Sequence, residues 1–178
     1  MRTESKLKRL VLAAMFLALA FVLPFFTGQI PQIGKMLCPM HLPVLLCGFV
    51  CGPGWGLAVG FLAPLLRSVT MGVPAFYPNA LCMAFELAVY GGVAGLLHGL
   101  LPRGRGCAYL SLLAAMLAGR LIWGGTMFLC LGLSGSRFGM EAFLAGAFLQ
   151  ALPGILLQIL LIPPVVILLD GRRKSAHE

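Results

Sequence analysis

The chain has 178 residues, of which 60% are hydrophobic and only 10% charged, with a mean hydropathy of +1.00 and a net charge of +8. A water-soluble domain could not hide that much apolar surface, so the surrounding solvent is read as lipid. The positive charge then reads as topology signal and headgroup contact, and nucleic-acid binding is not expected.

Apolar runs fall at about 10–26, 36–51, 55–71, 77–101, 107–133 and 141–169. All but the second are long enough for a bilayer-spanning helix of about 20 residues. The expected fold is an all-α integral membrane protein with six transmembrane helices, forming one domain over 1–178. With the N-terminus inside, the inner side holds Arg2, Lys6, Lys8, Arg9, Arg103, Arg105, Arg172, Arg173 and Lys174, whereas the outer loops hold Lys35 and Arg137. That bias predicts that both termini are cytoplasmic.

The first run contains Ala18-Leu19-Ala20, which resembles a leader cleavage site, but apolar residues continue through Phe26, so an uncleaved first helix is expected. Ala14 and Ala18 lie one turn apart on it, and their small side chains suit either packing inside the chain or docking of another membrane protein. The second run is short and carries Pro39 and Pro43, consistent with a broken outer end or a proline at a helix start. Glycines at 48, 52, 56 and 60, and again at 91, 95 and 99, form ladders that let helices approach closely. Gly and Pro punctuate the turns at 52–54, 72–74 and 102–106.

Polar groups inside the runs gather in the outer half. His41 lies in the outer part of the second helix, Arg67 near the outer end of the third, and Asn79 and Glu86 in the outer part of the fourth. Arg120 falls near the middle of the fifth helix with Trp123 one turn above it, and Gln150 in the outer half of the sixth. Intramembrane ionisable groups are costly and mark a ligand, an ion path or a paired structural core. Two permanent cations against the single carboxylate Glu86 favour a small anion, because one arginine can pair with Glu86 while the other grips a carboxylate. Snorkelling or purely structural pairing is the competing reading, more so for Arg67 than for the deeper Arg120. His98 reads as a headgroup contact and Gln158 as a helix–helix hydrogen bond.

Cysteines at 38, 47, 51, 82, 107 and 130 form no C-x-x-C pair. Cys47 and Cys51 are one turn apart, a spacing that fits a redox or metal pair but also the packing of small apolar side chains. No catalytic serine–histidine–acid set, phosphate loop or HExxH motif occurs. Enzymatic chemistry, a metal centre and a cofactor are therefore not expected.

Two stretches, Pro39-Met40-His41-Leu42-Pro43-Val44-Leu45-Leu46-Cys47-Gly48 and Gly60-Phe61-Leu62-Ala63-Pro64-Leu65-Leu66-Arg67-Ser68, resemble the substrate-binding S components of energy-coupling factor (ECF) vitamin transporters. Ala84-Phe85-Glu86-Leu87-Ala88-Val89-Tyr90-Gly91 does too, and these segments are most similar to the pantothenate-type branch. The resemblance implies a subunit in the bacterial plasma membrane that binds a vitamin-like molecule from outside, without ATPase activity of its own. It implies docking through Ala14 and Ala18 onto a transmembrane T subunit driven by two cytoplasmic ATPases, and gating loops at 27–35, 72–76 and 134–140. A self-contained small transporter or channel, and a structural scaffold similar to MreD, are the other classes. The sequence shows no inverted repeat and no carboxylate relay in support of the former.

Overall fold

A computed structural model describes residues 2–26, 39–102, 104–133, 139, 145, 146 and 151–175. Among them every regular element is a helix, and there is no strand. The elements are α1 (Arg2–Phe26), α2 (His41–Cys51), α3 (Pro53–Met71), a π-helical turn (Phe76–Ala80), α4 (Leu81–Leu100), α5 (Arg105–Leu133) and α6 (Leu152–Ser175).

Among the described residues, five segments are long and apolar enough to cross a membrane: Lys6–Phe25, Pro53–Met71, Phe76–Leu100, Gly106–Gly132 and Leu152–Leu169. The second element differs. Its 11 residues rise about 16 Å, roughly half the thickness of a hydrocarbon core. The six expected spans thus resolve into five helices of crossing length and one short apolar helix. The sixth run, expected over 141–169, is described as helix from Leu152 and continues to Ser175; most of its first part lies outside the described residues.

Backbone chemistry sets the α2–α3 corner. Gly52 adopts φ +99, a region that side-chain-bearing residues rarely enter, and its N–H closes onto the Gly48 carbonyl at 3.0 Å. Pro53 follows at the start of α3, where a missing N–H costs nothing. The chain therefore reverses within one residue, and α3 runs back alongside α2.

The three helices α2, α3 and α4 then interlock through the glycine ladders. A Cβ on Gly48, Gly56 or Gly60 would overlap carbonyls of Gly91 or Leu87 on α4, and one on Gly95 would overlap α2 at Gly48. Lipid offers helices no hydrophobic incentive to associate, so close backbone contact supplies dispersion instead. The expected ladders are realised at these positions, but Gly99 faces open space.

Around this centre, α1 lays Ala13 and Ala20 against Met40, Val44, Cys47, Val59 and Ala63. On the other side, α5 and α6 bring Leu112, Ala115, Met116, Ile162 and Val166 against Leu42, Leu45, Phe49 and Tyr90. Ala14 and Ala18 are exposed, within a stripe of α1 that also exposes Leu7, Val11, Val22 and Phe25.

Candidate functional site

One end of the bundle carries the start of α2, the end of α3 and the start of α4; it is outer in the expected orientation. One turn below that end, His41, Glu86 and Arg120 meet. Glu86 Oε1 lies 3.0 Å from Arg120 Nη1 and 3.5 Å from His41 Nε2, and all three side chains are buried. The His41 ring also packs edge-on against Tyr90, with centroids 5.2 Å apart. Gly119 makes this possible: a side chain there would press on the Tyr90 ring and the Glu86 carbonyl, holding α5 away from α4.

The electrostatics follow from burial. A lone carboxylate or guanidinium is prohibitively costly in such a site, and each offsets the other's lost hydration. Their contact is one of charge rather than an aligned hydrogen bond at Oε1.

A register common to α2, α4 and α5 places this group. His41 stands one turn outward of Leu45, Glu86 one turn outward of Tyr90, and Arg120 one turn outward of Met116. Leu45, Tyr90, Met116 and Ile162 belong to one apolar cluster. The residue one turn outward of Ile162 on α6 is Gln158, which is fully buried. The geometry is a polar group of His41, Glu86 and Arg120 above an apolar floor, with Gln158 buried on α6. Sequence reading had treated Gln158 as a helix–helix hydrogen bond. Neither of its amide atoms reaches a hydrogen-bond partner among the described residues. The signal for it was present: from Leu152 to Leu169, Gln158 is the sole polar side chain.

The remaining expected site residues lie elsewhere. Arg67 is buried, but it faces α1: Nη1 donates to the Phe21 carbonyl at 3.0 Å, and the guanidinium sits 5.3 Å from the Phe25 ring centroid. It laces α3 to α1 and stands apart from the Glu86 cluster. Asn79 lies in the π-helical turn and is exposed. Trp123 is half-buried, packed with Cys82, Met127 and Cys130 and close to Gly146. Gln150 lies outside the described residues, as do the loops over 27–35 and nearly all of 134–140. Of the three expected gating segments only 72–76 is described. Just beyond it, the Tyr77 hydroxyl donates to the Cys130 carbonyl and ties this segment to the outer part of α5.

Cys47 and Cys51 are buried in the apolar cluster beneath α1. No group of three or more His, Cys, Asp or Glu able to hold a metal ion occurs among the described residues. The arrangement sets two opposite charges and an imidazole against an apolar floor inside the bundle.

The model of one protein family, the substrate-specific component of ECF transporters, matches residues 8–166. No curated protein and no solved structure matches the chain. That match spans the described helices except the start of α1 and the last turns of α6, in a family of transporter components rather than enzymes, and the chain therefore belongs to the substrate-specific components of ECF transporters.

Proposed function

We propose that this protein captures a small vitamin-like micronutrient from outside the cell and hands it to an ECF transport module. In this reading it sits in the bacterial plasma membrane with both termini in the cytoplasm. It docks through Ala14 and Ala18 onto a T subunit driven by two ATPases. The observation that carries the binding role is the buried cluster of His41, Glu86 and Arg120 beside an apolar floor. The exposure of Ala14 and Ala18 while Ala13 and Ala20 are buried supports the docking role.

Pantothenate is the preferred substrate. Its carboxylate would be drawn to the Arg120 guanidinium, with His41 as a second donor, and its gem-dimethyl group suits the apolar floor. Asn79, Trp123 and Gln150 are assigned to the outer surround of the same site, and Arg67 to the contact between α3 and α1. Mass spectrometry of the compound released from purified protein, with copurification of ATPase subunits on a tagged chain, tests this. Release of pantothenate together with copurifying ATPases is expected. Release of a different vitamin would change the substrate only, whereas neither ligand nor ATPases would sink the reading.

A further inference from the structure

Two cysteines from different helices meet where the start of α4 faces the end of α5. Cys82 Sγ lies 3.9 Å from Cys130 Sγ, both side chains are buried, and neither is in a disulfide. Met127 stands one turn inward of Cys130 on the same face of α5, and it shares one buried cluster with both cysteines. Its thioether is soft and its side chain adapts to the space around it. On α4 the group begins one turn outward of Glu86, and the Tyr77 hydroxyl closes the same corner by donating to the Cys130 carbonyl. Apolar packing accounts for a buried cysteine taken singly. It gives no reason for two thiols to meet across the contact between two helices.

We propose that Cys82, Cys130 and Met127 form a site for a soft monovalent cation of the Cu(I) type. Metal–thiolate bonds of about 2.3 Å set sulfurs that share one ion about 3.8–4.0 Å apart, from tetrahedral to trigonal geometry. Cys82 and Cys130 already stand at that separation, nearly twice a disulfide bond of about 2.05 Å. Zinc takes four nitrogen, oxygen or thiolate ligands, and among the described residues no third His, Cys, Asp or Glu joins the two thiols. A thioether beside two thiols is instead the donor set that selects Cu(I). The thiols give up their protons to solvent as they ligate. A bound ion then clips the start of α4 to the end of α5, at the corner that Tyr77 also ties. The inference does not depend on the substrate-binding role, which uses other side chains.

The test uses the full chain, purified in detergent and kept reduced without oxygen. Ascorbate-reduced Cu(I) is supplied from its bicinchoninate complex, and transfer to the protein is followed by loss of the complex's colour. The wild type is expected to take up Cu(I) and to melt at a higher temperature with it. Cys82→Ala and Cys130→Ala should each weaken uptake by roughly a hundredfold or more, since loss of even an outer-shell partner costs about tenfold to hundredfold. Cys82→Ser replaces the alanine variant if that one does not fold. Met127→Leu should weaken Cu(I) binding by roughly tenfold with both thiols in place. Cys47→Ala, in the separate cluster beneath α1, should bind as the wild type does. A wild type that takes up no Cu(I), or one whose uptake survives in folded Cys82→Ala or Cys82→Ser protein, overturns the site. Zn2+ bound as tightly as Cu(I) overturns its assignment to a soft monovalent ion.

Discussion

Arg120 and Glu86 depend on each other unequally. A carboxyl group stranded by loss of its partner can shed its charge by taking a proton, whereas a guanidinium cannot give one up. Glu86→Ala therefore leaves a permanent buried cation 6% exposed in the bundle. It should destabilise the fold by about 3–5 kcal/mol, seen as a lower melting midpoint and poorer yield in detergent. Arg120→Ala is expected to be milder for folding. Its main effect should be on ligand affinity, weakened by about 2–5 kcal/mol, and Arg120→Lys should restore only part because the planar fork is lost. Equal binding by Arg120→Ala and the wild type would make the pair purely structural. Arg67, chemically identical to Arg120, spends its guanidinium on the Phe21 carbonyl and Phe25 ring instead.

At the scale of the helices, backbone contact between α2, α3 and α4 carries the scaffold beneath the site. Gly60 has no room for a side chain, because its Cβ would run into the Leu87–Ala88 backbone of α4, directly after Glu86. Gly60→Ala should force α3 off α4 and cost about 1–3 kcal/mol, and more if the shift spreads to Glu86. Gly99 near the end of α4 faces open space. Gly99→Ala should be neutral or stabilising by up to about 1 kcal/mol, since alanine favours helix. Thermal melting of the two variants side by side checks the interlock: equal midpoints would show that the ladder does not bear on stability. The shortness of α2 belongs at this scale as well. Packed between α1, α3, α4 and α6, it fills the centre of the bundle without spanning it, and its first residue, His41, begins at the level of the polar layer rather than above it.

For the whole molecule, orientation and assembly can be tested separately. The basic start of α1, the α4–α5 connection and the basic end of α6 lie at the same end of the helical order. A cytoplasmic reporter fused after Glu178 should be active and an exported reporter silent. The reverse result would turn the polar layer toward the cytoplasm. Ala14→Trp places a large ring on an exposed face of α1, away from the buried Ala13 and Ala20. Ligand affinity should stay within about twofold of the wild type while subunit pull-down fails, because a partner helix can no longer approach to backbone distance. Loss of both, or retention of both, would remove Ala14 from the docking surface.

The membrane class and five of the helices were legible in sequence because each depends on composition over a run. A hydrocarbon layer demands about 20 apolar residues per crossing, and headgroups sort lysine and arginine, whatever the helices do to one another. Close glycine packing was legible for the same reason, as a four-residue spacing. Pairing was not. Run length and spacing give the depth of Arg67, Glu86, Arg120 and Gln158, but not the direction each faces around its helix axis relative to its neighbours. Only the packed bundle decides that rotation. It turned Arg67 toward α1, closed Arg120 onto Glu86, and packed His98, read in sequence as a headgroup contact, edge-on against Phe49. It also buried Gln158 on α6, because the interlock of α2 with α4, and the seating of α5 and α6 against the bundle, set which faces meet.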